Sequence, residues 1–187
     1  KPHLYIAYFQ SYTNTYAPLP RLKELYETAL AQPGCVGLDI ATRADCLSEE
    51  VCDYLAQLNQ RCWLLVELGL QSTFDDTGEK INRCHSYAEF LEGYQRLKQR
   101  GIRVCIHLIN GLPGEDHQRM VENVRRIRHL GMYAVKLHLL YILKGTQMAR
   151  EYQQGKVKML TREEYVSIVC DQLELLPPQT VIHRLTG

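Results

Sequence analysis

The residues best suited to chemistry lie around one apolar stretch in the middle of the chain. The stretch 64–68 (Leu-Leu-Val-Glu-Leu) contains Glu67, and the turn 69–72 (Gly-Leu-Gln-Ser) follows it. Burying a carboxylate without a partner is costly, so we expect Arg43 or Arg83 to pair with Glu67. The amide and hydroxyl of the turn can hydrogen-bond a ligand. The sequence therefore predicts a ligand-binding turn directly after a strand.

Polar residues also end several other apolar stretches. Ligands of α/β proteins gather at the carboxyl ends of parallel strands. The polar residues near such ends include Gln10, Ser11, Thr13, Asn14, Asp39, Arg43, His107, Asn110 and His138. Asp45 and Ser48 also follow a predicted strand, but either side chain can instead cap the helix that comes next.

Glu67 and two histidines could form a different kind of site. His107 and His138 lie within strands, where a single histidine is commonly a core residue bonded to its neighbours. Two histidines on nearby strands strengthen a functional interpretation. With Glu67 they could act as acid, base or divalent-metal ligands. A non-redox barrel enzyme is therefore one alternative that the residues leave open.

Strand and helix patterns alternate along the chain, with a repeat of roughly thirty residues. Apolar strands are predicted at 4–9, 35–41, 64–68, 103–109, 134–140 and 180–183. Helical spacing is predicted at 22–30, 51–58, 90–97, 120–130 and 165–176, with a capping box at 161–164. Most strands are apolar throughout, which is typical of strands buried on both faces. We therefore predict one α/β domain over residues 1–187, either an open doubly wound sheet or part of a barrel.

Composition and charge exclude several classes of protein. The net charge is +1, from 22 basic and 21 acidic residues, so no bulk polycation is available to grip nucleic acid. The seven cysteines are scattered and odd in number, which favours reduced thiols. No apolar run is long enough to cross a bilayer, and no signal peptide precedes the first strand. We therefore expect a cytoplasmic protein without membrane contact.

Common nucleotide and zinc motifs are missing from the sequence. It contains no Gly-x-Gly-x-x-Gly after the first strand, no Gly-Lys-Ser/Thr phosphate loop and no Cys-x-x-Cys pair. The tract 125–129 (Arg-Arg-Ile-Arg-His) could bind RNA or an acidic protein, although a solvated helix face is the simpler explanation. A non-catalytic binding module is therefore the second alternative.

Taken together, the strand ends resemble the radical S-adenosylmethionine (SAM) superfamily, in particular its elongator-subunit and oxygen-independent coproporphyrinogen oxidase group. The segments 67–72 and 82–85 resemble a Gly-x-Gln-Ser turn followed by Arg-x-His. The segment 107–115 resembles Asp-x-Ile-x-Gly-Leu-Pro-Gly. The segments 8–15 and 37–47 are most similar to an uncharacterised bacterial branch of YhcC type.

The resemblance spans nearly the whole chain and implies a partial TIM-type (β/α)6 barrel that lacks its first βα unit. In the family, a Cys-x-x-x-Cys-x-x-Cys loop after the first strand holds a 4Fe–4S cluster by its thiolates. None of the seven cysteines here has that spacing. The resemblance therefore implies a fragment of a radical SAM core domain that begins at the second strand.

The resemblance also implies residues around the methionyl part of S-adenosylmethionine. Arg83 would pair with the methionyl carboxylate, for which a bidentate guanidinium fork is well suited. Asp39 or Arg43, with Gln71, would line the same pocket. Four polar residues occupy the place of the glycine-rich segment that holds the methionyl amino group: Gln10, Ser11, Thr13 and Asn14.

For the adenosine part, the resemblance implies two further pairs of residues. Ile109 and Gly111 would approach the adenine, where an apolar surface and a small residue admit the ring. His107 and Asn110 stand in the region where the family has an acidic residue that contacts the ribose.

The implied function belongs to a full-length parent protein. That parent would reductively cleave S-adenosylmethionine at a 4Fe–4S cluster, and the resulting 5′-deoxyadenosyl radical would take a hydrogen from an unknown substrate. Flavodoxin or ferredoxin would supply the electron, and RNA is a substrate class by analogy alone. Because the cluster ligands are absent from this chain, we expect the chain alone to be inactive.

Overall fold

The computed structural model describes residues 3–186, in which strands and helices alternate. The strands are β1 (Tyr5–Phe9), β2 (Cys35–Thr42), β3 (Trp63–Gln71), β4 (Arg103–Asn110), β5 (Ala134–Leu139) and β6 (Val181–Arg184). The helices are α1 (Leu19–Leu30), α2 (Glu49–Asn59), α3 (Asp75–Lys80), α4 (Tyr87–Gln99), α5 (His117–Ile127), α6 (Gln147–Gln153) and α7 (Arg162–Leu175). Short 3₁₀ turns occupy Ala44–Cys46 and Arg128–Leu130. All six predicted strands are present.

The strands form one six-stranded sheet in the order in which they occur in the sequence. β1 pairs with β2, β2 with β3 and β5 with β6, in each case parallel. Leu64, Leu65 and Val66 of β3 are consecutive and each 0% exposed, so this strand is buried on both faces. The predicted α/β class, with helices between successive strands of a parallel sheet, is confirmed.

The chain consists of two compact units. The first contains the residues up to Leu70 together with Tyr87–Ile106, and the second contains Gln71–Ser86 together with the residues from His107 onward. We describe each unit by itself. The prediction of a single domain over residues 1–187 stays a prediction.

In the first unit, aromatic side chains join β1 to the helices. Phe9 packs edge-on against Tyr26, with ring centroids 5.2 Å apart, and Tyr26 stacks on Tyr54 at 6.4 Å.

Ser48 caps α2, because its hydroxyl accepts a hydrogen bond from a backbone amide of the first turn at 3.3 Å. Of the two predicted capping residues, the role therefore falls to Ser48 rather than Asp45.

In the second unit, α5 and α7 pack against each other. Met120 and Val124 of α5 and Ile168 of α7 are at most 1% exposed. At the start of α7, Thr161 and Glu164 form the predicted capping box, in which each side chain accepts from the other residue's backbone amide. The predicted helix is thus confirmed together with its starting point.

The sequence pattern does not predict α3 or α6. These helices have 6 and 7 residues, too few for an apolar periodicity to show. α3 also contains Gly78, which weakens a helical pattern. Among the helices of residues 3–186, none combines the length and apolar composition that a membrane span requires.

Candidate functional site

In the first unit, Asn14 fixes the polar loop that follows β1. Its side-chain amide donates to the carbonyl oxygens of Phe9 and Ala41, each at 2.9 Å. The backbone carbonyl oxygen of Asn14 accepts a hydrogen bond from the buried Tyr26 hydroxyl at 2.5 Å. Burial raises the pKa of Tyr26 well above its ordinary value, which keeps this phenol a hydrogen-bond donor. Asn14 therefore ties the loop to the end of β2.

The rest of this loop remains accessible to a ligand. Gln10 and Ser11 are exposed, and Thr13 is half-buried. Tyr12, between Ser11 and Thr13, has φ 65° and is 98% exposed. The role toward the methionyl amino group that is predicted for Gln10, Ser11, Thr13 and Asn14 stays a prediction.

Asp39 lies within β2, and Arg43 lies directly after the last residue of that strand. Asp39 is half-buried and pairs in register with Tyr8 of β1 and Leu65 of β3. The Arg43 guanidinium donates two hydrogen bonds to Asp45, at 2.9 and 2.6 Å, with 38% of its side chain exposed. The predicted role of Asp39 or Arg43 in a cofactor pocket stays a prediction.

Glu67 has a hydrogen-bond donor that the sequence analysis missed. The residue is 0% exposed, and its Oε2 accepts from the Tyr8 hydroxyl at 2.7 Å. This donor comes from an aromatic strand residue, and the predicted pairing of Glu67 with Arg43 or Arg83 stays a prediction. A tyrosine in an apolar run is usually a packing residue, but its hydroxyl can also donate to a buried acceptor.

In the second unit, Arg83 is a clamp within its own turn. Its side chain is 2% exposed, and its guanidinium donates to the carbonyl oxygens of Ser72 and His85, the latter at 2.7 Å. It also pairs with the Asp75 carboxylate at 2.7 Å. Arg83 therefore holds the segment after β3 against α3 and the 83–85 turn. Pairing with a methionyl carboxylate stays a prediction.

Asn110 at the end of β4 forms a reciprocal amide pair with Gln172 of α7. The two side chains exchange hydrogen bonds of 2.8 and 2.9 Å, and Gln172 also donates to the Met120 carbonyl oxygen at 2.8 Å. Asn110 is 1% exposed and Gln172 0%. The structure thus gives Asn110 a partner within the fold, and its predicted position near a ribose stays a prediction.

Ile109 and Gly111 lie beside an apolar cluster of the second unit. Ile109 packs against buried Leu112 and Leu140. Gly111 has φ 91°, and a Cβ added there would come within 3.3 Å of Leu160 Cδ1. The left-handed backbone conformation favours glycine here, and Leu160 leaves little room for a side chain. The adenine contact predicted for both residues stays a prediction.

The structure brings His107 and His138 together. Their ring centroids lie 5.3 Å apart, with an angle of 50° between the planes. Within residues 3–186, neither histidine belongs to a group of three His, Cys, Asp or Glu side chains with ligand atoms inside 4.8 Å of one another. The non-redox enzyme built on Glu67, His107 and His138 stays an alternative hypothesis.

Left-handed backbone marks the segments that the sequence analysis selected. Among residues 3–186, the non-glycine residues with positive φ are Tyr12 at 65°, Gln71 at 61°, Asn82 at 53° and Cys84 at 65°. Each lies inside 8–15, 67–72 or 82–85. Side chains rarely adopt this conformation, and residues held in it cluster at ligand sites. This backbone geometry therefore fits a ligand-binding role for the three segments.

The cysteines of this chain do not fit a 4Fe–4S cluster. Burial raises the pKa of Cys52 to about 11, and it also raises the pKa values of Cys46 and Cys62. These raised pKa values favour the protonated thiol in the absence of a metal. The seven cysteines also lack the Cys-x-x-x-Cys-x-x-Cys spacing that holds such a cluster in the family.

The arginine tract of α5 is largely engaged by neighbouring groups. Arg125 pairs with Glu122 at 3.0 Å, and Arg126 donates to the carbonyl oxygen of Thr73 at 2.7 Å. Arg125 and Glu122 also line a surface groove of about 570 Å³ between α5 and α7. A basic binding face on this helix stays an alternative hypothesis.

The chain is similar to known proteins along nearly its whole length. The Radical SAM superfamily model matches residues 4–127, and the Radical_SAM C-terminal domain model matches residues 132–187. The uncharacterized protein YtqA of Bacillus subtilis is 50% identical over 98% of this chain, and the protein YhcC of Escherichia coli is 37% identical over 98%. The chain spans 57% and 60% of the lengths of these two relatives.

A solved structure also matches in fold. The archaeal Elp3 of Methanocaldococcus infernus, with an N-terminal deletion, is 25% identical with a TM-score of 0.74. The match covers 86% of this chain and 38% of that one. The resemblance to the elongator-type group and the predicted fold class are confirmed. Since one family model covers more than half of its residues, the chain belongs to the radical SAM superfamily.

Proposed function

We propose that this chain supplies the S-adenosylmethionine-binding part of a radical SAM enzyme. The observation that carries the proposal is the match of residues 4–127 to the superfamily model. The left-handed residues at the three candidate segments support it, because residues held in this conformation cluster at ligand sites. When bound, S-adenosylmethionine would supply the 5′-deoxyadenosyl group.

In the first unit, the loop after β1 is the candidate for the methionyl amino group. Gln10, Ser11 and Thr13 offer amide and hydroxyl oxygens that can accept from an ammonium. Asn14 holds this loop to β2 through its two side-chain hydrogen bonds. Asp39 and Arg43 provide opposite charges on the neighbouring strand end, for the amino and carboxylate groups respectively.

In the second unit, Gln71 and the end of β4 are the candidates. Gln71 is half-buried in a left-handed conformation that directs the chain from β3 into the Ser72 turn. Ile109 offers an apolar surface at the end of β4 for a base. Arg83 acts through the turn that it clamps, by keeping Ser72 in place.

The iron–sulfur cluster and its electron donor belong to the proposal for the whole protein. The cluster ligands would come from a part of the full-length protein outside this chain, because the thiols here do not fit. Flavodoxin or ferredoxin would then reduce the cluster. The free cysteines, including the exposed Cys84 and Cys170, are consistent with a reducing cytoplasmic location.

The enzymatic proposal is tested on the full-length protein that contains this chain. It would be reconstituted anaerobically with iron and sulfide, reduced, and incubated with S-adenosylmethionine. We expect 5′-deoxyadenosine from the full-length protein and none from residues 1–187 alone. A full-length protein that carries a cluster by absorbance and yields no 5′-deoxyadenosine would overturn the proposal.

For the substrate, RNA is the class that we propose. The segment between β5 and α7 exposes Tyr141 (73%) and Tyr152 (49%), and it also exposes Lys144 and Arg150. Aromatic rings can stack on unpaired bases while cations contact phosphates. Filter binding of labelled transfer RNA to wild type and to Tyr141→Ala/Lys144→Ala tests this, and equal binding would exclude the surface.

A further inference from the structure

Two side chains hold the turn that follows β3: Glu115, which precedes α5, and Asn123, in the middle of α5. Asn123 Oδ1 accepts from the backbone amide of Thr73 at 2.6 Å and from its hydroxyl at 2.8 Å. Asn123 Nδ2 in turn donates to Glu115 Oε2 at 2.9 Å. The other carboxylate oxygen of Glu115 accepts from the Ser72 hydroxyl. Glu115 and Asn123 thus contact two consecutive residues of the turn.

The turn is held from further directions as well. The Ser72 hydroxyl oxygen accepts from the Phe74 amide at 3.0 Å, which closes the turn locally. Arg126 donates to the Thr73 carbonyl oxygen at 2.7 Å, and its guanidinium lies 5.2 Å from the Phe74 ring centroid. Both the amide and the carbonyl group of Thr73 therefore bond to side chains of α5.

The network is buried, so its geometry is strongly constrained. Ser72, Thr73 and Asn123 are each at most 1% exposed. Buried polar groups cost free energy unless every one has a partner, and a connected network therefore favours one arrangement. Burial also raises the pKa of Glu115 above its ordinary value, although hydrogen bonds from Ser72 and Asn123 act in the opposite direction.

The residue directly before this network is Gln71. Its φ of 61° is one that a glutamine adopts only when its surroundings impose it. The next residue, Ser72, is fixed through its hydroxyl by Glu115 and through its carbonyl oxygen by Arg83. The chain directly after Gln71 is therefore fixed by hydrogen bonds from two sides.

We propose that Glu115 and Asn123 are positioning residues for Gln71, which they hold in the left-handed conformation that presents it to S-adenosylmethionine. The inference rests on the proposed function for the cofactor. It gives a role to two residues for which the family resemblance implies none. The hydrogen bond between Ser72 and Glu115 also links two motif segments, 67–72 and 107–115.

The test uses Asn123→Leu, which keeps the branched shape and removes both polar atoms of the side-chain amide, and Glu115→Gln, which keeps one acceptor oxygen. Glu122→Gln on the same helix is the matched control. Amide hydrogen exchange at residues 71–74 measures the turn, and calorimetric titration measures affinity for S-adenosylmethionine. Urea unfolding monitors global stability.

We expect Asn123→Leu to speed exchange at the Thr73 amide and to weaken S-adenosylmethionine binding, each by about tenfold. Glu115→Gln should fall between Asn123→Leu and wild type, and Glu122→Gln should match wild type. Faster exchange with unchanged affinity in folded Asn123→Leu would overturn the positioning role. If Asn123→Leu does not fold, Glu115→Gln alone decides, and affinity equal to wild type contradicts the inference.

The exchange measurement separates this inference from the proposed function. If wild type does not bind S-adenosylmethionine, the proposed cofactor role fails. Faster exchange at residues 71–74 in Asn123→Leu, with no change in Glu122→Gln, would then still support the hold on the turn. Exchange unchanged in both variants would overturn that hold itself.

Discussion

The Arg83 guanidinium packs directly on the α-carbon of Gly78. A Cβ at position 78 would lie 2.8 Å from Arg83 Cζ, closer than carbon atoms approach without displacement. From this place Arg83 reaches Asp75 at 2.7 Å and the carbonyl oxygens of Ser72 and His85. Glycine in the middle of a short helix is unfavourable for the helix, so here packing outweighs helical propensity.

Gly78→Ala should displace this clamp. The added methyl group pushes on a guanidinium that is buried and bonded on several sides, so we expect a loss of about 1–3 kcal/mol in the free energy of unfolding. Urea denaturation measures it, with exposed Glu79→Ala on the same helix as the control. A Gly78→Ala variant as stable as wild type would show that Arg83 moves aside without cost.

Tyr8→Phe should destabilise the first unit. The change removes the 2.7 Å hydrogen bond to Glu67 Oε2, and this carboxylate is 0% exposed. Loss of a donor to a buried carboxyl oxygen costs about 1–3 kcal/mol. Thermal unfolding of Tyr8→Phe, compared with the exposed Tyr16→Phe, measures the effect. Equal midpoints for the two variants would contradict a role for this bond.

The Asn110 and Gln172 amides should be energetically coupled. Gln172→Leu leaves the Asn110 amide without its 2.8 and 2.9 Å partners in a buried site, and we expect a cost of about 1–3 kcal/mol. The double variant Asn110→Leu/Gln172→Leu should lose less than the sum of the single variants. Chemical denaturation of the three variants gives the coupling, and strict additivity would argue against it.

Glu115 should impose a pH dependence on stability. Its pKa in the folded chain is raised from 4.5, chiefly by burial, so the folded chain holds the proton more tightly than the unfolded chain. Its contribution to stability is therefore full below pH 4.5 and is lost as the pH rises through the raised pKa. The unfolding free energy of wild type minus that of Glu115→Gln should therefore fall as the pH rises across that window. Parallel pH curves would contradict this.

Local sequence patterns predicted the strands and two of the helix starts well. The six strands, the Ser48 cap of α2 and the Thr161–Glu164 capping box all follow from residues close together in the sequence. Such signals are local because a strand or a helix start is decided by its own few residues. The polar strand ends were likewise visible as interruptions of apolar runs.

The partners of the candidate residues were harder to predict. Tyr8 and Glu67 are 59 positions apart, and Asn110 and Gln172 are 62 apart. Only the tertiary fold brings such pairs together, and each partner lies in a segment whose pattern already has a packing explanation. One signal was available for Asn123, since it occupies an otherwise apolar face of α5 with Met120 and Ile127. A polar residue at such a position needs a buried partner.

The most direct test of the central claim is amide hydrogen exchange of this chain with and without S-adenosylmethionine. The account predicts slower exchange on ligand addition at residues 10–15, 71–74 and 109–111. Adenosine without the methionyl group, as a control ligand, should leave residues 10–15 unprotected. The absence of protection at all three segments under saturating ligand, or protection confined to the groove between α5 and α7, would contradict the claim that this chain binds the cofactor.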